Sequence, residues 1–217
     1  MSTRAHTASL PASAAAALLT CLAMTMASAT ATETATATTS ATTSAAAAKE
    51  CDGVSFPEQV QVQGATLTLN GLGLRKATIF GIKVYVGALY VPHPTADAAA
   101  ILSSQQPAEV ELRFVFHVTA GQLRDAWQEG FAKSAAGELR RLQPRIAQLN
   151  GWMQSVGSGQ RMTFLRIPGV GIQYSLDGAV RGTIAGDDFA KAFLAIWLGP
   201  SPPSPELRAG LLGGECK

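Results

Sequence analysis

The sequence predicts an α+β fold, with β-strands grouped on either side of a helical middle. Three observations carry this reading. Residues 70–90 hold two stretches of alternating polarity around a tight turn near Phe80-Gly81. Leu123, Ala126, Trp127, Gly130 and Phe131 follow at i, i+3, i+4, i+7 and i+8, behind Thr119 and Gln122 spaced as a capping box. Residues 161–184 then return to strand patterning, with Asp177-Gly178 as a hairpin turn. Segregated strands and helices argue against a parallel α/β alternation.

The elements follow in order. Residues 53–62 read as a strand leading into 65–69 and then into the hairpin. Its second strand, 82–91, is rich in β-branched and aromatic residues, and Pro92-His93-Pro94 ends it. A short helix is predicted over 95–103 with Thr95 as N-cap. Residues 109–118 alternate as a strand, Val110, Leu112, Phe114 and Phe116 against Glu111, Arg113, Val115 and His117. After the capped helix, Leu139, Leu142, Ile146 and Leu149 form a second stripe. Pro144 inside it predicts a kink or two short helices, and Asn150-Gly151 a stop. Strands 161–167 and 170–176 flank Pro168-Gly169, and 179–184 completes the set. Gly186 or Asp187 caps a helix carrying Phe189, Ala192, Phe193, Ile196 and Trp197, which Gly199-Pro200 ends. Ser204 caps a last short helix with Pro205 at its first position.

The first 29 residues read as a secretory signal peptide, predicting a periplasmic protein. Arg4 supplies the positive charge, residues 12–26 the apolar region, and Ala27-Ser28-Ala29 the cleavage site. Thr20 ahead of Cys21 is a poor lipidation signal, and the apolar region runs past it. Residues 30–50 form an Ala/Thr/Ser-rich segment, expected to be disordered. The folded domain is expected over 51–217, with no stable membrane insertion after cleavage. Two cysteines then remain, Cys51 and Cys216, one at each edge of the domain. In an oxidising compartment they are expected to pair.

Composition removes several function classes. Charged residues make up 15% and the net charge is +2, with no basic stripe interleaved with aromatics, so nucleic acid is not an expected partner. Arg140, Arg141 and Arg145 read as a solvated helix face. No metal site is predicted, since His93 and His117 stand apart from any Cys/His/Asp spacing and His6 lies in the leader. Asp187-Asp188 stands at a helix start, where capping explains it. No nucleophile elbow, Walker loop or dinucleotide fingerprint is present, and no helix pattern comes after Gly71-Leu-Gly73, so no cofactor is expected.

Arg75 is the residue that asks for chemistry. At period two it shares a face with Ala77 and Ile79. A guanidinium on such a face cannot shed its charge and must find an anion or several acceptors. The hairpin would bring Tyr85 near it, a cation and a phenol able to hold one carboxylate or phenolate. The alternative is that Arg75 pairs with an acid of its own fold and Tyr85 is ordinary core.

Gly71-x-Gly73-x-Arg75 followed by residues 80–90, then 118–131, then Gly186-Asp187-Asp188-Phe189 running to residues 196–199 and 211–213, resembles the chalcone isomerase-like superfamily, and more closely its bacterial exported branch. The resemblance covers roughly residues 53–214. It implies a curved antiparallel sheet backed by helices, with a ligand cleft between. The superfamily contains isomerases and non-catalytic fatty-acid binders. Its isomerases use the arginine matching Arg75 to hold a phenolate and carry a threonine where Tyr85 stands. Its fatty-acid binders use an arginine and a tyrosine at these two positions. The isomerases also place a tyrosine and an asparagine along the helix matching 123–131, where this chain offers Arg124, Asp125, Gln128 and Gly130. Two residues are also missing between Arg75 and Lys83, which would shorten the hairpin. The resemblance therefore implies an exported binder of a fatty acid or similar small amphipathic anion, held by Arg75 and Tyr85, with Tyr90, Leu123, Trp127 and Phe131 lining the cleft. Two alternatives remain: an intramolecular lyase or isomerase in which Arg75 and Tyr85 are catalytic, and a structural or interaction protein with a vestigial cleft. An apolar cleft ending at Arg75 favours the binder, a second donor opposite Arg75 the enzyme, and a cleft packed shut by Trp127, Phe131 or Trp197 the third.

Overall fold

A computed structural model describes residues 47–78 and 80–217. The expected signal peptide and most of the Ala/Thr/Ser-rich segment lie outside the described residues. The described chain carries nine strands. They are β1 (Ala48–Cys51), β2 (Val54–Pro57), β3 (Gln59–Val62), β4 (Ala65–Ala77), β5 (Ile82–Val91), β6 (Ala108–Phe114), β7 (Arg161–Ile167), β8 (Gly171–Leu176) and β9 (Ala179–Ala185). Its helices are α1 (Ala98–Ser103), α2 (Ala120–Ser134), α3 (Leu139–Gly151), α4 (Asp187–Leu198) and α5 (Pro205–Leu211).

Strands β3 to β9 form one seven-stranded antiparallel sheet in sequence order. The turns dictate this meander. Asp177 and Gly178 both take positive φ, 52° and 82°, as a two-residue turn between β8 and β9 requires. Helices α2, α3 and α4 bury Trp127, Phe131, Ile146, Phe193 and Trp197 against one face of the sheet. The other face is covered by the separate β1–β2 hairpin, whose Phe56 is fully buried against Leu67, Val86, Ala88 and Tyr90. The Cys51–Cys216 disulfide ties β1 to the C-terminal tail, with Cα atoms 5.9 Å apart.

Several elements differ from the sequence reading, each for a local reason. Strand β1 begins at Ala48, so Ala48, Lys49 and Glu50 pair with β2 instead of extending the low-complexity segment. The strand expected over 53–62 breaks at Glu58, whose amide donates to Ala47 O while its carbonyl accepts from Leu69 N. The N-cap of α1 is Asp97, not Thr95. Asp97 accepts from the amides of Ala99 and Ala100, while Thr95 Oγ1 accepts from Asp97 N one step earlier. Strand β6 stops at Phe114 because β7 starts at Arg161, opposite Arg113; beyond it Val115 N donates to Val84 O and Val118 bridges to Val156. Helix α3 runs unbroken through Pro144. The proline is exposed, and burial of Leu142, Ile146 and Leu149 on the opposite face outweighs one lost backbone hydrogen bond. The caps read from Thr119-Gln122 and Ser204 are present as expected.

The hairpin over the second face also buries two acids of β6. Glu109 and Glu111 are 6% and 3% exposed. Glu111 is compensated. Arg113 Nε donates to its carboxylate at 2.5 Å, Arg113 Nη1 donates to Ser55 O, and the guanidinium lies 4.5 Å from the Phe56 ring centre. Glu109 is pushed up to about 7, first by burial and then by the charge of Glu111, with Arg161 opposing. Its native value lies above its ordinary 4.5, so the folded state holds this proton more tightly. Stability from this group is full below pH 4.5 and falls as pH rises toward 7. Asp188, held down to about 2 by Arg145, titrates outside that window. We expect the urea unfolding free energy to drop by about 2 kcal/mol between pH 5 and pH 8. In Glu109→Gln that slope should flatten. An equal slope in the variant would show that Glu109 is not its source.

Candidate functional site

Arg75 and Tyr85 are direct partners across the β4–β5 ladder, and the register shifts immediately after Arg75. Gly71 and Gly73 share Arg75's side of β4, where α5 lies so close that only glycine fits. The sheet therefore presents Arg75 and Tyr85 to the helix layer, at the edge of α5's footprint.

There they line a hollow of about 120 Å³, together with Trp127, Gly130 and Lys133 of α2 and Ile196 and Trp197 of α4. Tyr85 Oη accepts from Trp197 Nε1 at 3.1 Å, which leaves its own O–H free to donate. Burial pushes the Tyr85 phenol up, while the Trp197 hydrogen bond and the Arg75 charge pull the other way. It is thus a neutral donor at physiological pH. Arg75 is half-buried and donates to Lys76 O. Among the described residues no carboxylate stands within ion-pair distance of it. Glu129, also in the lining, bonds to Lys133 Nζ at 2.5 Å. That bond holds its carboxyl below the ordinary range, with a smaller pull from Arg75.

The inner end is closed by aromatic rings. Trp127 lies 5.5 Å from Phe164, 5.6 Å from Phe193 and 5.8 Å from Trp197. Its Nε1 is turned toward Met153 Sδ at 3.0 Å, away from any ligand role. A Cβ on Gly130 would stand 2.9 Å from Ile196 Cγ2, so this glycine sets the close approach of α2 and α4.

Of the four residues expected to line the cleft, the structure places one, Trp127, in the hollow. Tyr90 lies on the other face of the sheet, fully buried, donating to Pro57 O at 3.1 Å. Strand alternation explains this, since Tyr85 and Tyr90 are an odd number of residues apart. Leu123 and Phe131 belong to the closed core, Phe131 with its ring 5.1 Å from that of Phe189. The α2 residues that do line the hollow are Ala126, Trp127, Glu129, Gly130 and Lys133. Ala126, Gly130 and Lys133 recur at helical spacing, a signal that periodicity alone offers. Trp197, expected only as a possible plug, is also the Tyr85 partner.

The arrangement is suited to hold one anionic head. A guanidinium and a phenol face a small hollow whose walls combine Trp127, Ile196 and Trp197 with the paired Glu129 and Lys133. Among the described residues no group of three or more His, Cys, Asp or Glu side chains is placed to bind a metal, and no helix is long and apolar enough to cross a membrane.

Comparison with known proteins agrees with this fold. The structure is similar to that of the Arabidopsis thaliana fatty-acid binding protein AtFAP1, with a TM-score of 0.60 and 17% sequence identity, over 74% of this chain and 92% of that one. At that identity the likeness shows the fold. No curated protein sequence matches the chain significantly. The profile of the chalcone isomerase-like family matches residues 48–213, which spans the sheet, its helices and the Arg75 hollow, and the chain belongs to that family.

Proposed function

We propose that this protein binds a small amphipathic carboxylate, with Arg75 and the Tyr85 hydroxyl on the anionic head and Trp127, Ile196 and Trp197 around its apolar end. The observation that carries this reading is a guanidinium facing a hollow with no carboxylate in ion-pair range among the described residues. The fatty-acid binding named for the structural neighbour supports the ligand class. The volume bounds the tail. A cavity of about 150 Å³ admits benzene, so 120 Å³ holds a short chain or one ring. A long acyl chain would have to displace Trp127 or Trp197, or leave its far end in solvent past the exposed Lys133 and Ser201. The disulfide supports a site of action in an oxidising, extracytoplasmic compartment. An intramolecular lyase would need a second held donor at the electrophile. The Trp127 and Trp197 indoles already donate to Met153 and Tyr85, Lys133 and Ser201 are both exposed, and Lys133 is already ion-paired.

Titration calorimetry with straight-chain carboxylates from acetate to dodecanoate tests this reading. Wild-type affinity should peak at short chains. Arg75→Ala should weaken binding by at least about tenfold, the worth of one charge-assisted hydrogen bond, and Tyr85→Phe by several-fold, with the fold intact. Equal affinity in Arg75→Ala would overturn the assignment, and unfolding would make Arg75 a structural cation. The aromatic closure of the inner end favours a second reading, an interaction protein with a vestigial cleft, which predicts no isotherm at any chain length.

A further inference from the structure

A second guanidinium in this fold is more deeply buried than Arg75. Arg166 on β7 is 5% exposed. Its Nε donates to Gln106 O and its Nη1 to Ile101 O, each at 2.9 Å. A guanidinium carries five N–H donors, so three remain. Among the described residues no carboxylate lies within ion-pair distance of it. Asp187 acts on it from farther away, and its Oδ1 accepts from Gly169 N at 3.0 Å. Two carbonyls satisfy hydrogen bonds but do not neutralise a buried permanent charge.

Arg166 also lines a hollow of about 210 Å³, between the loop that follows β5 and the loop that follows α1, and it borders a neighbouring hollow that holds Asp187 and Asp188. The walls mix apolar Val91 and Pro92 with polar His93, Thr95 and Ser104. Thr95 Oγ1 accepts from Asp97 N at 3.1 Å and Ser104 Oγ from Gln106 N at 3.0 Å. Each hydroxyl therefore keeps its own proton to donate. The rim is also held in place, since Thr95 N donates to Asn70 Oδ1 at 2.7 Å and Asn70 Nδ2 to Leu211 O at 2.8 Å. A buried cation, two hydroxyl donors and a fixed rim together describe an anion receptor, on a different part of the sheet from the Arg75 hollow.

We propose that Arg166 anchors a second ligand site that takes a compact oxyanion of carboxylate or phosphate type. The oxyanion meets the free N–H groups of the guanidinium and the hydroxyls of Thr95 and Ser104. This site does not depend on the function assigned to Arg75.

The test is a ¹⁵N NMR titration of the full chain carrying Arg75→Ala, which silences the first hollow. Inorganic phosphate and acetate are added in separate arms at constant ionic strength. Saturable shifts of the Arg166 Nε–H and the Ser104 and Thr95 amides are expected in at least one arm, and the stronger arm identifies the oxyanion. Arg166→Lys, which keeps the charge and loses the planar fork, should weaken that binding by about tenfold or more. If Arg166→Lys does not fold, the Thr95→Val, Ser104→Ala double variant decides, and it should weaken binding by several-fold. The proposal is overturned if neither anion gives a saturable shift, if Arg166→Lys folds and binds equally well, or if the hydroxyl variant leaves the affinity unchanged.

Discussion

Reducing the Cys51–Cys216 disulfide should lower the unfolding free energy by about 3 to 5 kcal/mol. The bond closes a loop with a sequence separation of 165, which in the chain-entropy description is worth about 5 kcal/mol. The lower figure allows for structure retained by the reduced chain. The location adds a second effect. Cys51 is buried in the cluster that contains Phe56, and β1 holds β2 over the second face of the sheet. Once β1 is released, Phe56 loses its cover and Arg113 loses the Ser55 carbonyl to which it donates. Urea unfolding of the oxidised protein, the reduced protein and the Cys51→Ser, Cys216→Ser double variant measures the effect. A change below about 1 kcal/mol would mean that the hairpin is held by its apolar contacts alone.

Gly71→Ala should be among the most damaging single-methyl substitutions in the sheet, costing about 3 kcal/mol or more. A Cβ at Gly71 would stand 2.1 Å from the Gly210 carbonyl oxygen, and one at Gly73 2.4 Å from that of Leu207. Both obstacles are backbone atoms of α5, so no side chain can swing aside. Gly210 meets the same limit from the other direction, 2.2 Å from Leu72 O. Helix α5 thus lies directly on β4, and the methyl group would lift it and disturb the neighbouring Arg75. In a domain of this size the cost corresponds to a fall in Tm of roughly 6 to 12 °C. Gly137→Ala, where nothing lies within 4 Å, is the control and should leave Tm unchanged. An unchanged melting curve for Gly71→Ala would show that α5 does not rest on β4.

These two expectations mark where the sequence was legible and where it was not. Local periodicity places most strands and helices, though not β1 or the break between β2 and β3, and the hairpin reading already sets Tyr85 near Arg75. Turn and cap chemistry is equally local, as Asp177-Gly178, Thr119-Gln122 and Ser204 show. Periodicity tells which side chains share a face, but not whether that face is covered. The alternation over 109–118 therefore does not show that Glu109 and Glu111 are buried beneath β1–β2. For the same reason Phe131, on the apolar stripe of α2, reads as cleft lining when α4 in fact covers it. Gly71-Leu-Gly73 is not a nucleotide loop, because a strand and not a helix continues from it. The real reason for its glycines, backbone contact with a helix more than 130 residues away, is a long-range fact that no local pattern contains. Arg75 was legible because a cation on an apolar face demands a partner. Arg166 does not stand out in the sequence because its acceptors, Gln106 O and Ile101 O, are backbone atoms brought to it by the fold.

The central claim is that the Arg75 hollow holds a carboxylate, and native mass spectrometry tests it most directly. The protein is purified without detergent and compared with Arg75→Ala. The account predicts a small carboxylic acid bound to wild type, either co-purified or taken up from an added series, and lost in the variant. Equal occupancy in the variant, or a wild type that takes up no carboxylate from that series, would contradict it.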